Sequence, residues 1–213
     1  MSVLGRLHLV TDSRPGRDTL GVVRATLRAG ADAGAAPVIQ IRVEDDVTDR
    51  DAYQLARQVT EMCREAGASC LVNDRLHIAL AVAADGGHVG ADDLPVDAAR
   101  RVLGPAAVLG ATARDPATAR ACVAAGASYL GVGPAFRSPT KSGLGEPLGP
   151  SGVAAVASAV AVPVIAIGGI TADRVGELRA AGAHGVAVVA AVSAAADPYG
   201  AALELLKALG ETR

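Results

Sequence analysis

Two glycines, Gly168 and Gly169, directly follow the apolar run Val164–Ile167. A second buried run, Gly185–Val189, comes after the helix-like segment that follows them. In α/β barrels, exposed backbone amides after the seventh and eighth strands commonly hold a phosphate group. The pattern therefore predicts that this chain binds a phosphorylated ligand.

A second set of polar residues lies near an earlier apolar run. Gln40 and Arg42 are two residues apart, so on a strand their side chains point to the same side. An inward arginine is costly to bury unless an anion accompanies it. We therefore expect a phosphate or carboxylate ligand beside Arg42. The alternative is an internal ion pair between Arg42 and Asp74.

Carboxylates follow two neighbouring apolar runs. Asn73 and Asp74 end one run, and Asp93 lies just past the next. Oxygen ligands of this kind suit Mg²⁺, which keeps several waters and takes further oxygens from a diphosphate. The pattern predicts that Asp74 and Asp93 bind magnesium. The alternative for Asp74 is a helix N-cap before the segment 76–82.

The longest stretch without a helix or strand pattern is the loop Gly133–Gly149. Long loops in compact domains are usually lids or binding loops. This one contains Lys141 beside Thr140, in a chain that otherwise uses arginine for almost all of its positive charges. A compact ammonium group next to hydroxyls suits phosphate binding. The alternative for Lys141 is a solvated surface residue.

The elements that must position these residues repeat one unit, a short apolar run followed by a longer helical pattern. Asp49, Asp115 and Thr171 look like helix starts, and the glycines of four Ala-Gly-Ala repeats, at positions 30, 67, 126 and 182, look like helix ends. A doubly wound sheet is the alternative, but it has fewer strands and a glycine-rich first turn. We expect an α/β fold, a single-domain (β/α)8 TIM barrel over residues 1–213. The candidate strands are Leu7–Val10, Val38–Ile41, Cys70–Val72, Gly87–Val89, Val108–Gly110, Tyr129–Val132, Val164–Ile167 and Gly185–Val189.

Composition excludes several classes of function. The 213 residues are 51% apolar with a formal charge of −2, and they contain three tyrosines, one phenylalanine and no tryptophan. The chain has neither a basic patch nor the aromatic side chains that nucleic-acid binding requires. No apolar run is long enough for a membrane span, so we expect a cytoplasmic enzyme of small molecules. Cys63, Cys70 and Cys122 lack metal-site spacing, and no nucleophile has a base at a recognisable offset.

Seven short motifs, in this order and spacing, resemble the thiamine phosphate synthase family, in a superfamily that also contains thiazole tautomerases. The resemblance covers essentially the whole chain. The motifs are Leu9–Asp12, Ile39–Arg42, Val72–Asp74, Gly87–Pro95, Gly131–Pro134, Pro139–Lys141 and Ala166–Ile170.

The resemblance implies a transferase of thiamine biosynthesis that joins hydroxymethylpyrimidine diphosphate to a thiazole phosphate, with Mg²⁺, and releases diphosphate. It assigns catalytic roles to Arg42, Thr112 and Lys141, and metal binding to Asp74 and Asp93. The implied substrate contacts are Gln40, Arg42, Asn73, Thr112, Thr140, Lys141, Gly168, Gly169, Val189 and Ala190.

Three residues depart from the family pattern. Glu44 replaces a lysine, Ala190 replaces a serine, and Arg114 replaces the histidine that serves as the base in the tautomerases. Two other functions are therefore kept beside the synthase: an enzyme acting on another phosphorylated heterocycle, and a non-catalytic regulator that binds a phosphorylated ligand. The sequence does not determine the oligomeric state, and a homo-oligomer is one of the open alternatives.

Overall fold

Eight short parallel strands close into a barrel in the order in which they occur along the chain. The computed structural model describes residues 4–137 and 145–210. Strand β8 pairs with β1, and every other strand pairs with its neighbour in sequence. The strands are β1 (Leu7–Val10), β2 (Val38–Ile41), β3 (Ser69–Asn73), β4 (Gly86–Val89), β5 (Val108–Ala113), β6 (Tyr129–Val132), β7 (Val164–Ile167) and β8 (Gly185–Val188).

Helices connect the strands on the outside of the barrel, as parallel pairing requires. Those in the described part of the chain are α1 (Thr19–Ala33), α2 (Asp49–Ala66), α3 (Leu76–Ala81), α4 (Val96–Leu103), α5 (Pro116–Ala124), α6 (Gly149–Ala157), α7 (Ala172–Ala180), α8 (Ala190–Ser193) and α9 (Pro198–Ala208). The predicted (β/α)8 barrel is thereby confirmed, while the domain bounds 1–213 stay a prediction. Within the described residues, no helix combines the length and apolarity that a bilayer span needs.

Polar side chains begin several helices, although not always at the predicted residue. Asp115 caps α5, because its carboxylate accepts hydrogen bonds from the backbone N–H groups of two residues in the first turn. The prediction that Asp49 precedes α2 was wrong by one residue. Thr48 is the cap, and its hydroxyl accepts from the Asp51 N–H group at 3.2 Å. Asp49 lies in the first turn, where a negative charge still favours the positive end of the helix.

The predicted helix end at Gly30 was also wrong. Helix α1 continues one further turn, and Gly34 ends it in the left-handed conformation with φ 69°. Gly30 is instead buried inside the helix, where a Cβ would lie 2.6 Å from the Pro37 ring. Its small size therefore serves close packing rather than a turn. Gly67, by contrast, ends α2 as predicted, with φ 66°.

Strand β5 is longer than the sequence predicted, since it runs three residues past Gly110 to Ala113. Thr112 therefore lies on the strand, in register with Gly131 of β6. This strand is continued by the β-branched Thr112 between small residues, a pattern that fits a pleated and half-buried surface. The extension places the Thr112 side chain at the barrel mouth on a rigid element.

Two apolar layers hold the barrel together. The larger layer packs the outward-facing strand residues against the helices and includes Leu9, Ile39 and Leu109, all fully buried. A smaller cluster fills the inside of the barrel and includes Leu71 and Ile165, which are no more than 1% exposed. The barrel is thus a packed core rather than a pore, and ligands must bind at its end.

Candidate active site

The carboxyl ends of all eight strands meet at one end of the barrel, where two groups of residues face the mouth. We call Gln40, Arg42, Asn73, Asp74 and Asp93, which end or follow β2, β3 and β4, the polar rim. We call Gly168, Gly169, Val189 and Ala190, which follow β7 and β8, the glycine rim. In barrel enzymes this end of the fold contains the active site.

Gln40 and Asn73 form a direct bond across the polar rim. The Gln40 Nε2 group donates to Asn73 Oδ1 at 2.6 Å, and Gln40 is only 6% exposed. Strands β2 and β3 are neighbours, so their parallel pairing brings the two amides together. The bond fixes the orientation of both amide groups at the mouth of the barrel.

Arg42 forms a two-pronged ion pair with Glu44. Its Nη1 atom lies 3.1 Å from Glu44 Oε1, and its Nη2 atom lies 3.5 Å from Oε2. Both side chains are 31% exposed. The anion beside Arg42 in the structure is thus a carboxylate of the chain itself, and a ligand at this position stays a prediction. The backbone of Arg42 is held by Thr11, whose hydroxyl donates to the Arg42 carbonyl at 2.8 Å and accepts from its N–H group.

Asp74 is exposed and adopts an uncommon backbone conformation, with φ 60°. Its N–H group donates to the His88 carbonyl at 2.9 Å, which ties it to β4. Left-handed backbone at a residue other than glycine costs free energy and often occurs at functional sites. The N-cap of α3 is Arg75, without a side-chain capping bond. Asp74 therefore lies one residue before the N-cap position of α3.

Asp93 lies on the loop after β4 and is exposed. Its Oδ2 atom accepts a hydrogen bond from the Gly90 N–H group at 2.7 Å. A Cβ at Gly90 would lie 2.8 Å from the same oxygen, so a glycine there lets the carboxylate approach. This bond engages one carboxylate oxygen and holds Asp93 beside the mouth.

The polar rim fits Mg²⁺ by the chemistry of its donor atoms. Asp74 and Asp93 follow neighbouring strands, and both residues are exposed. In the described parts of the chain, no group of three or more His, Cys, Asp or Glu side chains forms a closed metal cage. Carboxylates of exposed residues suit magnesium, which retains water and binds substrate phosphates. The same set is unsuited to a structural zinc ion.

Thr112 is linked to two buried residues inside the barrel. His88 Nε2 lies 3.1 Å from Thr112 Oγ1, and His88 Nδ1 lies 3.0 Å from the Tyr129 hydroxyl. Burial lowers the pKa of His88 to about 4, an effect that the nearby Asp93 carboxylate only partly offsets. Burial also raises the pKa of Tyr129. Both groups are therefore neutral at physiological pH.

His88, within the motif Gly87–Pro95, is hydrogen-bonded inside the barrel, and sequence reasoning missed its partner Tyr129. Both ring nitrogens of His88 have partners inside the protein. A signal for Tyr129 exists in the sequence, since glycines stand at Gly110 and Gly131 on the neighbouring interior positions. Gaps of this kind in two adjacent strands indicate that a large side chain occupies the space between them.

The glycine rim presents backbone rather than charge. Gly168 and Gly169 both have positive φ, 99° and 64°. A Cβ on Gly168 would lie 2.7 Å from the Pro134 Cα, and one on Gly169 would overlap the Arg137 carbonyl oxygen. The loop after β7 therefore packs too tightly for any side chain at either position.

Helix α8 begins at Ala190, directly after β8, and Val189 at its N-cap makes no side-chain capping bond. The first N–H groups of a helix have no intrahelical partner. A short extra helix after the eighth strand is the arrangement that many barrels use for phosphate. Arg174 supports the same rim, since its Nη1 donates to the Gly169 carbonyl at 2.6 Å and its guanidinium lies 4.5 Å from the Phe136 ring centroid. Sequence reasoning missed Arg174.

A second ion-paired group joins the loop after β1 to α8. Asp12 is 3% exposed and accepts from Arg14 Nε and Nη2, both at 2.7 Å. Ser193 of α8 lies 3.4 Å from the same carboxylate. The hydrogen bonds from Arg14 hold the pKa of Asp12 below its usual value. Asp12 therefore stays ionised and connects the loop after β1 to α8.

Comparison with known proteins agrees with this geometry. The TMP-TENI family, described as thiamine monophosphate synthase, matches residues 7–192. The chain belongs to the thiamine monophosphate synthase family. The resemblance inferred from its seven motifs is thereby confirmed. Family membership also agrees with the predicted class, a transferase of thiamine biosynthesis.

Individual relatives of this family align along nearly the whole chain. The thiamine-phosphate synthase of Salinispora arenicola is 65% identical over 98% of this chain and 99% of its own length. The thiamine-phosphate synthase of Moorella thermoacetica is 45% identical over 93% of this chain and 91% of its own length.

Solved structures include a thiamine phosphate pyrophosphorylase from Pyrococcus furiosus, with a TM-score of 0.85 and 32% identity over 97% of this chain and 96% of that one. A 3-hexulose-6-phosphate synthase matches with a TM-score of 0.68 but 19% identity, over 95% of this chain and 99% of that one. The second likeness concerns the barrel fold alone.

The three departures from the family pattern have definite positions. Glu44 pairs with Arg42, and Ala190 begins α8. Arg114 donates from Nη2 to the Glu146 carbonyl at 2.8 Å, so it contacts the far end of the long loop. The predicted ligands Thr140 and Lys141 fall outside the described residues, and their roles stay predictions.

Proposed function

We propose that this chain is a thiamine-phosphate synthase, which transfers the pyrimidinylmethyl group of hydroxymethylpyrimidine diphosphate to the nitrogen of a thiazole phosphate. The observation that supports it most strongly is 65% identity, over nearly the full chain, to a protein of that name. The two rims give this proposal a physical basis, because the reaction needs one site for a diphosphate and another for a phosphate.

The polar rim would bind the diphosphate of the pyrimidine substrate. Arg42 presents a planar guanidinium that matches two phosphate oxygens, in the way that it now engages two oxygens of Glu44. The fixed amides of Gln40 and Asn73 lie beside it. Lys141 would add a second cation from the long loop. Together these groups would hold the diphosphate by its charge and its geometry.

Asp74 and Asp93 would hold Mg²⁺ against the diphosphate oxygens. When bound, the ion supplies charge neutralisation for a leaving group that gains negative charge. The exposure of both carboxylates supports this assignment, since the ion needs room for water and substrate oxygens. The backbone bonds of Asp74 to His88 and of Gly90 to Asp93 support fixed positions for both ligands.

The glycine rim would bind the phosphate of the thiazole substrate. Gly168 and Gly169 give the loop after β7 its positive-φ conformation, and the backbone N–H groups of this loop would hold the phosphate. Val189 and Ala190 would contribute the start of α8, where N–H groups favour an anion. Ala190 lacks the hydroxyl of the family serine but keeps this amide. Thr140 would complete the phosphate site from the long loop.

The chemistry would consist of breaking the carbon–oxygen bond to the diphosphate, followed by attack of the thiazole nitrogen on the pyrimidinylmethyl carbon. The bonding electrons leave with the diphosphate, and the nitrogen lone pair forms the new bond. Such a step needs positioned positive charge rather than a protein nucleophile. The predicted absence of a nucleophile with an adjacent base is in accord with this route.

The test is to incubate the purified chain with both precursors and Mg²⁺ and to measure diphosphate and thiamine phosphate. We expect equal amounts of the two products, and none when EDTA replaces Mg²⁺. Each precursor alone serves as a control for hydrolysis. An enzyme for another heterocycle would release no diphosphate from this pair, and a regulator would bind ligands without product. Either result would overturn the proposal.

A further inference from the structure

A chain of hydrogen bonds runs from the inside of the barrel to its mouth. Tyr129 on β6 is 1% exposed and bonds through its hydroxyl to His88 on β4, at 3.0 Å. The opposite ring nitrogen of His88 reaches the Thr112 hydroxyl on β5, at 3.1 Å. Thr112 is half-buried at the carboxyl end of its strand. Buried side chains are thus linked to a hydroxyl at the candidate site.

The strands around this chain are shaped to hold it. A Cβ at Gly110 would overlap both His88 Nδ1 and the Tyr129 ring, and a Cβ at Gly131 would lie 3.0 Å from His88 Cε1. Two neighbouring strands thus have no side chain at the positions that face the pair. The His88 and Tyr129 rings lie 5.6 Å apart between their centroids. The closely packed rings have little freedom to reorient.

The direction of each hydrogen bond follows from the partners that are available. A neutral imidazole has one N–H donor and one bare nitrogen acceptor. Among the described residues, His88 Nδ1 is the only hydrogen-bond partner of the buried Tyr129 hydroxyl. The nearby ring nitrogen Nδ1 of His8 has no partner within that part of the chain. The tyrosine hydrogen must therefore go to His88 Nδ1, because a buried donor without an acceptor is costly.

This direction determines the rest of the chain. Since Nδ1 of His88 accepts, Nε2 carries the hydrogen and donates it to Thr112 Oγ1. The Thr112 oxygen then acts as the acceptor, and its own hydrogen needs a different partner. His88 Nε2 is the only partner of that oxygen within residues 4–137 and 145–210. The hydrogen of the Thr112 hydroxyl is therefore directed toward the barrel mouth.

We propose that Tyr129 and His88 are positioning residues that act through Thr112 and make its hydroxyl a hydrogen-bond donor toward the bound pyrimidine diphosphate. The acceptor is a lone pair of that substrate, on a ring nitrogen or a diphosphate oxygen. This inference rests on the proposed synthase function and extends it, because it states which partner donates at residue 112. A substrate analogue that presents a donor at that position would be rejected.

The tautomer of His88 is the most direct test. In a chain labelled with ¹⁵N-histidine, long-range proton–nitrogen spectra at neutral pH distinguish a hydrogen on Nδ1 from one on Nε2. The His88 signals are assigned by their loss in His88→Gln, or by their shift in Thr112→Val if that variant does not fold. We expect the hydrogen on Nε2. A hydrogen on Nδ1, or exchange between the two forms, would overturn the inference.

Steady-state kinetics test the link to the substrate. Thr112→Val should lower kcat/KM for the pyrimidine diphosphate on the order of ten-fold, and Thr112→Ser should keep it within about three-fold. Thr26→Val is a matched control, because Thr26 is a fully buried threonine that bonds within α1. It should leave kcat/KM unchanged. Normal activity of Thr112→Val would contradict the proposal.

A double-mutant cycle separates positioning from a purely structural effect. Tyr129→Phe removes the donor to His88, so the tautomer is no longer enforced. We expect kcat/KM to fall about three-fold to ten-fold with Thr112 present, and to stay the same in the Thr112→Val background. Equal losses in both backgrounds would show a structural role only. If the wild type releases no diphosphate, the synthase proposal fails, whereas the histidine spectrum still decides the tautomer.

Discussion

The polar rim and the glycine rim lie at the same end of one barrel but differ in almost every physical property. The polar rim consists of charged and amide side chains, with Arg42 and Glu44 paired and Asp74 and Asp93 facing solvent. The glycine rim has no charged side chain of its own, and its character comes from the backbone. The difference agrees with the proposal that the two rims hold phosphate in two distinct ways.

The chemistry of the two proposed ligands explains this division. A diphosphate leaving group gains charge as its bond breaks, so groups that respond to charge stabilise the transition state more than the ground state. A thiazole phosphate keeps its charge throughout the reaction and needs only a fixed position. Backbone amides can hold the phosphate in a fixed position, because they are already oriented and need little reorganisation. We therefore expect substitutions in the two rims to affect different kinetic constants.

The largest effect should come from the polar rim. Asp93→Asn should lower Mg²⁺-dependent turnover on the order of a hundred-fold, because a neutral amide binds the ion weakly, and Asp74→Asn should behave in the same way. Assays over a range of Mg²⁺ concentrations would measure the change. Asp97→Asn removes a nearby exposed carboxylate that pairs with Arg101, and it should be neutral. Normal turnover of both rim variants at limiting Mg²⁺ would contradict the metal assignment.

A smaller effect should follow from filling the glycine rim. Gly169→Ala places a Cβ against the Arg137 carbonyl at φ 64°, so the loop must shift. We expect the KM for the thiazole phosphate to rise on the order of ten-fold, while the KM for the pyrimidine diphosphate changes little.

Gly176→Ala is the control for this experiment. Gly176 lies inside α7, where a Cβ would meet no atom within 4 Å apart from its own helix backbone and chain neighbours. Alanine should stabilise that helix by about 0.5–1 kcal/mol, without a change in either KM. Thermal unfolding and kinetics of the two variants would measure this. A uniform rise of both KM values in Gly169→Ala would remove the distinction between the rims.

The smallest effect concerns Glu44, the residue that forms an ion pair with Arg42. Glu44→Lys replaces a competing carboxylate by a cation, so the KM for the pyrimidine diphosphate should fall about three-fold to ten-fold. Its effect should weaken at high salt. Glu61→Lys on α2 is the control, since Glu61 pairs with Arg64 on the surface. An unchanged KM at low salt would show that Glu44 does not compete with the diphosphate.

The barrel could be predicted from the sequence because its signals are local and repeated. Each strand is a short apolar run. Asp115 marks the start of a helix by its side-chain chemistry, and Gly67 marks the end of one by its backbone conformation. Errors arose where the local signal had two meanings. Gly30 resembled a helix end but serves packing within α1, and strand β5 continued beyond its most apolar residues.

The sequence was enough to locate the residues of the polar rim but not to predict their pairings. Gln40, Arg42, Asn73, Asp74 and Asp93 stand at strand ends, which a pattern of strands is enough to locate. The partner of Arg42 was not predictable, because Glu44 lies outside the strand and its side-chain direction depends on the loop. The chain from Tyr129 to Thr112 requires the register of three strands, which no local pattern contains.

Separate binding of the two substrates tests the division between the rims most directly. The wild type would be titrated calorimetrically with hydroxymethylpyrimidine diphosphate alone and, in a separate experiment, with thiazole phosphate alone. Each titration would be made once in Mg²⁺ and once in EDTA. We predict that removal of Mg²⁺ lowers the affinity for the pyrimidine diphosphate at least ten-fold and leaves the affinity for the thiazole phosphate unchanged. Equal dependence of both substrates on Mg²⁺, or no dependence of either, would contradict the account.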